Sequence, residues 1–135
     1  MNAQLIERSL EAVAEQVGDP AALVYRRLFE MAPELQALFV RDKDGSVRGE
    51  MLQRAFETIL DLVGEGHFAR GMIATEWVNH QNIGVPAEQF ELFFVAMVET
   101  FREVLGERWT PEIDDAWRSV NASVSGIIGR LAHAG

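Results

Sequence analysis

His80 stands at the end of one helical pattern and is followed by Gln81-Asn82-Ile83-Gly84-Val85-Pro86 and then by Ala87-Glu88-Gln89-Phe90. A Gly-Val-Pro corner followed at once by a new amphipathic helix brings a neutral imidazole beside a cleft between two apolar helices. An axial metal ligand would sit in such a place. The other use of a histidine at a helix end is electrostatic, an interaction with the last carbonyls, and spacing alone leaves both open. The chain has three histidines and no cysteine, so the set of metal-binding side chains is small. The lack of cysteine excludes disulfides, thiolate zinc sites and iron–sulfur clusters. His67, in a glycine-rich connector, and His133, near the end of the chain, are expected in solvent.

The balance of the chain excludes other chemistry. A net charge of −9, with twelve basic residues scattered and Arg26-Arg27 the longest cluster, gives no phosphate-binding surface, so nucleic acid is not an expected partner. No apolar run approaches the roughly 18–20 residues of a membrane span. Glu7, Glu11, Glu15 and Asp19 are incompatible with a secretory signal, and a cytoplasmic location follows by default. The 135 residues are expected to form one domain, large enough to bury roughly two-thirds of the unfolded surface.

Helices alone account for the apolar pattern that must position His80. Leu5, Ile6, Leu10, Val13 and Val17 predict a first helix over about 3–17, ended by Gly18. Asp19-Pro20 caps a second running to about Met31. Pro33 starts a short third helix, Glu34 to Phe39, and the polar segment Arg41 to Arg48 reads as a loop. A long helix then turns Met51, Leu52, Ala55, Phe56, Ile59, Leu60 and Val63 inward. Gly64 to Gly71 is a connector, and a helix from about Met72 leads to His80. Pro86 opens a helix with Phe90, Phe93, Phe94, Met97, Phe101 and Leu105 on one face. Thr110-Pro111-Glu112 starts the last, with Ile113, Trp117, Val120, Val124, Ile127 and Leu131 inward. The fold class is all-α, with six or seven helices of unequal length and one long central loop. No alternating pattern of strand type is present.

Three segments carry a resemblance. One is Val24-Tyr25-Arg26-Arg27-Leu28-Phe29 followed by Pro33-Glu34-Leu35-Gln36-Ala37-Leu38-Phe39. The second is His80 through Phe90. The third is Ala116-Trp117 after the Thr-Pro-Glu cap. In this order and spacing, from about Leu5 to Leu131, the chain resembles a globin, most similar to bacterial single-domain globins and the globin part of flavohaemoglobins. The resemblance implies a globin-like fold around a haem b (iron protoporphyrin) pocket, with His80 ligating the iron through Nε2 and its Nδ1–H donating to a carbonyl or carboxylate. It implies that Phe39 lies against the cofactor, and that Tyr25, Met51, Ala55, Val85 and Phe90 belong to the same pocket. Tyr25, the chain's one tyrosine, would donate its hydroxyl to a diatomic ligand carrying partial negative charge; the plainer role is a bond to a backbone carbonyl or to solvent.

The chain departs from the family pattern at three positions. The distal position, usually His or Gln, falls on Met51, or on Leu52 if the loop aligns one residue differently. Neither donates, although a Met51 thioether would serve as a sixth ligand in place of simple packing. Ten residues after His80, Phe90 replaces a tyrosine of the flavohaemoglobin proximal network. One turn before His80 stands Glu76, where Leu or Ile is usual; it either accepts from His80 Nδ1–H or is a surface charge, with Trp77 supplying the apolar contact. The function implied is reversible binding of dioxygen or another diatomic gas, as carrier, store or scavenger, in a monomer or homodimer. The alternatives are nitric oxide dioxygenation with a separate reductase, since no reductase domain follows Gly135, and a sensor or interaction module.

Overall fold

The computed structural model describes residues 2–134, with side chains described as far as Ala132; the side chain of His133 lies outside the described residues. Every regular element among them is helical: α1 (Ala3–Val17), α2 (Ala21–Met31), a 3₁₀ segment (Pro33–Phe39), α3 (Ser46–Val63), α4 (Ala69–Asn82), α5 (Ala87–Leu105), a short 3₁₀ turn (Gly106–Arg108) and α6 (Pro111–Ala134). No helix among these residues is long and apolar enough to cross a membrane.

Side-chain caps explain where the helices start, and why two start earlier than the apolar pattern predicts. Asn2 accepts from the Leu5 amide, Asp19 from Ala21 and Thr110 from Ile113, each satisfying amides that a first helical turn leaves without a partner. Within the segment expected to be loop, Asp42 accepts from the amides of Val47 and Arg48, and Asp44 from Ser46, so α3 already begins at Ser46. Asp61, near the end of α3, reaches across to the amides of Phe68 and Ala69 and starts α4 inside the glycine-rich connector. The Pro33 segment is helical but wound as 3₁₀.

A fully buried cluster lies where α1, α5 and α6 meet. Trp117 is fully buried, with its ring 5.8 Å from that of Phe101. Its indole N–H donates to Ser9 Oγ at 2.9 Å, and the Ser9 hydroxyl donates to the Ile6 carbonyl at 2.7 Å. A buried serine on the apolar face of α1 is thus the acceptor that lets a tryptophan be buried whole. The expected inward residues of α3 and α6 are mostly buried, with two corrections. Leu60 is exposed because it falls off the Leu52-Ala55-Ile59-Val63 stripe, and Leu131 is exposed one turn past Ile127 and Ile128. Replacing Ser9 by Ala leaves the Trp117 N–H buried without an acceptor, and should lower the unfolding free energy by about 1–3 kcal/mol. Urea unfolding followed by tryptophan fluorescence measures this; a loss within about 0.5 kcal/mol, as at an ordinary surface site, would show that the bond carries no weight.

Candidate functional site

α2 packs against α5 and α3, and α4 against α3 and α5, and together with the 3₁₀ segment these helices line a cavity of about 580 Å³. Its size lies within the range of roughly 300–1,000 Å³ found for small-molecule and cofactor sites. The residues expected to share a pocket, His80, Phe39, Tyr25, Met51, Ala55, Val85 and Phe90, all line it.

His80 owes its place to the corner after it. The Ile83 and Val85 amides both donate back to the His80 carbonyl, and Gly84 takes φ +88°, a left-handed conformation that side-chain-bearing residues adopt only with strain. This reversal carries the chain from α4 straight into α5, so His80 faces Phe90, whose ring lies 4.9 Å away edge-on. Trp77 does not line the cavity; it is buried behind Phe90, 5.7 Å from that ring. His80 Nδ1 lies 2.7 Å from the backbone carbonyl oxygen of Glu76. A carbonyl only accepts, so Nδ1 carries the proton and Nε2 holds the free lone pair. The Glu76 carboxylate is 4.0 Å from Nδ1, too far for a hydrogen bond, and pairs instead with Arg54 at 3.5 Å. Of the acceptors expected for His80, the backbone carbonyl is the one engaged.

Tyr25, which also lines the cavity, is buried and caged by the rings of Phe29, Phe39 and Phe93 at 5.9, 5.3 and 5.6 Å. Among the described residues its hydroxyl has no hydrogen-bond partner, although buried phenols ordinarily find one. Burial pushes the phenol's pKa well up; nearby Arg48 pulls it down and Asp42 pushes it further up. The hydroxyl therefore stays protonated and is a donor lining an apolar cavity. Met51 lines the cavity, while Leu52 is buried in the core.

Several lining residues escaped the sequence reading. Arg54 stands three residues after Met51, on the same face of α3, and the periodicity alone marked that position. Leu38, Val47 and Ile83 line the mouth while remaining about half exposed, at 47%, 48% and 58%. Asp42 was hidden in a segment taken for loop. Its buried carboxylate holds the first turn of α3 and also bonds Arg48 Nε at 3.0 Å.

The chain belongs to the globin family: residues 22–128 match the globin family model. The anaerobic nitrite reductase NSHB5 of Oryza sativa subsp. indica is 25% identical over 129 residues, covering 93% of this chain and 89% of that protein. The anaerobic nitrite reductase HBII of Casuarina glauca is 27% identical over 126 residues, covering 84% and 79%. No solved structure matches significantly. These relatives are plant proteins.

The Asp42 clamp gives a pH signature. Partial desolvation pushes its carboxyl pKa up, but hydrogen bonds from the Val47 and Arg48 amides, with the Arg48 guanidinium, outweigh this and hold it below the ordinary carboxylate value. A folded pKa below the unfolded one contributes stability above about pH 4, and that contribution disappears as pH falls through the depressed folded value. Asp42→Asn should therefore be less stable than wild type at pH 7 and converge on it in acid. Denaturant midpoints measured from pH 7 to pH 2.5 test this, and a gap that stays constant over the series rules the assignment out.

Proposed function

We propose that this chain is a haem-binding globin that reversibly binds dioxygen or another diatomic gas, folded as one domain around the cavity. The observation that carries the reading is that one apolar cavity is lined by both a histidine with its Nδ1 engaged by a backbone carbonyl and a buried phenol with an unused donor. The donor set also fits. Among the described residues no three His, Asp or Glu side chains converge on a metal position. A single imidazole suits a metal already held in a macrocycle, whereas a bare ion needs three or four protein ligands. The half-exposed Leu38, Val47 and Ile83 at the mouth fit the edge of a flat apolar group that would cover them.

His80 would hold iron protoporphyrin through Nε2, with Phe39, Met51, Ala55, Val85 and Phe90 as its apolar surroundings. That group would supply an iron able to bind a diatomic ligand. The Glu76 carbonyl fixes the His80 ring and its tautomer. Tyr25 would donate to a ligand bearing negative charge, with the phenyl rings of Phe29, Phe39 and Phe93 around it. Phe90 offers His80 a hydrocarbon edge and no polar group, which weighs against a strengthened proximal ligand and hence against vigorous nitric oxide dioxygenation.

A second reading comes from the names of the relatives: reduction of nitrite with electrons from an external donor. The firmly held Tyr25 proton makes that side chain a hydrogen-bond donor and a poor proton source, which favours gas binding. Anaerobic consumption of nitrite by the reduced protein, at a rate lowered in Tyr25→Phe, would support the second reading.

Haem-loaded wild type should show a Soret band that moves on binding carbon monoxide and is lost or strongly altered in His80→Ala; an unchanged band in that variant would overturn the assignment. A low-spin band that disappears in Met51→Leu would make Met51 a sixth ligand, and a band indifferent to that change leaves it a wall residue. Tyr25→Phe should speed dioxygen release about tenfold, the worth of one hydrogen bond of about 1.4 kcal/mol. Flash photolysis or stopped flow measures the rate, and an unaltered rate excludes Tyr25 as the donor.

A further inference from the structure

Glu76 places two acceptors near one imidazole proton. Its backbone carbonyl, 2.7 Å from His80 Nδ1, takes the proton. Its carboxylate has Oε2 4.0 Å from the same nitrogen. The group holding it back belongs to another helix: Arg54 on α3 sets Nη1 3.5 Å from Glu76 Oε1 on α4. Thr58, beside this pair, has its hydroxyl proton engaged by the Arg54 carbonyl at 2.8 Å, so it offers the carboxylate no substitute for the guanidinium. The two acceptors are not equivalent. A carboxylate forms a shorter, stronger bond to N–H than a neutral carbonyl does, and it raises the basicity of the opposite ring nitrogen.

We propose that Arg54 is a positioning residue for His80. By holding the Glu76 carboxylate across the gap between α3 and α4, it leaves Nδ1–H on the backbone carbonyl and keeps Nε2 in its weaker-donor state. Loss of Arg54, or competition for it by another anion, turns the carboxylate onto His80 and strengthens the ligand. The consequence for iron rests on the haem reading above, whereas the exchange of acceptors is a property of the polypeptide. The Arg54 side chain is 60% exposed and that of Glu76 31%, so the pair is open to solvent ions and screened by salt. That accessibility makes the hold reversible.

The test uses wild type, Arg54→Gln, Arg54→Lys, Glu76→Gln and the double variant Arg54→Gln/Glu76→Gln. Arg54 is largely solvated, so its replacement leaves the fold intact. In haem-free protein with ¹⁵N-labelled histidine, the His80 Nδ1–H resonance should move downfield in Arg54→Gln. It should return in the double variant and stay near wild type in Arg54→Lys. In ferrous haem-loaded protein, the iron–histidine stretching band in resonance Raman should shift up in Arg54→Gln and return in the double variant. High salt should move wild type part of the way. An Nδ1–H resonance unmoved by Arg54→Gln overturns the proposal whether or not haem binds. A Raman shift that persists in the double variant also overturns it, since the cause is then the lost charge and not Glu76. A wild type without a Soret band defeats the haem reading and leaves the nitrogen resonance to decide the Arg54–Glu76–His80 exchange.

Discussion

The hydrogen bond from His80 Nδ1 to the Glu76 carbonyl is the constraint on which the site depends. It lies within one helical turn, so it needs no distant element to form it, and it directs the imidazole's lone pair outward from α4. What α4 cannot supply is anything for that lone pair to face. The reversal at Gly84 and the start of α5 at Ala87 do this, by seating Phe90 against the ring and keeping α5 close to α4 at this end. A backbone acceptor and an aromatic edge restrict the orientation of the imidazole.

The rest of the fold serves to keep a hollow open. Apolar helices gain free energy by closing on one another, and an empty apolar space forfeits the contacts its walls would make. Here α1, α5 and α6 close fully around Trp117, Phe101 and Ile6. The opposite side, between α3, α4 and the 3₁₀ segment, is held by polar devices at its edges. Asp42 clamps the start of α3, Asp61 ties the end of α3 to the start of α4, and Arg54 meets Glu76 across the gap. Gln89 and Glu34 bond at the rim, joining α5 to the 3₁₀ segment. Such links set distances between helices without filling the space between them. A group that binds the folded chain within this space adds to stability by mass action.

The same arrangement separates two electrostatic environments. Around Tyr25 the walls are aromatic and the side chain is buried, so the phenol keeps its proton. Around Glu76 and Arg54 the wall reaches solvent, where charges are screened and exchange partners at small cost. The buried side of the cavity is thus suited to selecting and retaining a small polar ligand, and its exposed side to responding to ions.

Most of the helical plan was legible in the sequence, because apolar spacing and Pro, Gly and Asp/Thr caps are local signals. Tyr25, Phe39 and Phe90 were legible as site residues through motifs and Met51 through counting, and the cavity brings them together with His80. The early starts of α3 and α4 were not, since Asp42 and Asp61 cap amides five to eight residues away and no apolar period marks that. Leu60 was misplaced because a strong apolar residue beside a helical stripe looks like part of it. The acceptor of His80 was beyond the sequence too: the i, i+4 spacing allows both the carbonyl and the carboxylate of Glu76, and the structure puts the carbonyl on Nδ1 and the carboxylate beside Arg54, twenty-two positions earlier in the chain. The sequence by itself determined which residues carry chemistry and that helices present them. The tertiary structure decided which proton goes to which acceptor and which hydroxyl is left without one. Those outcomes depend on distances between helices, and such distances are set by packing that no local pattern encodes.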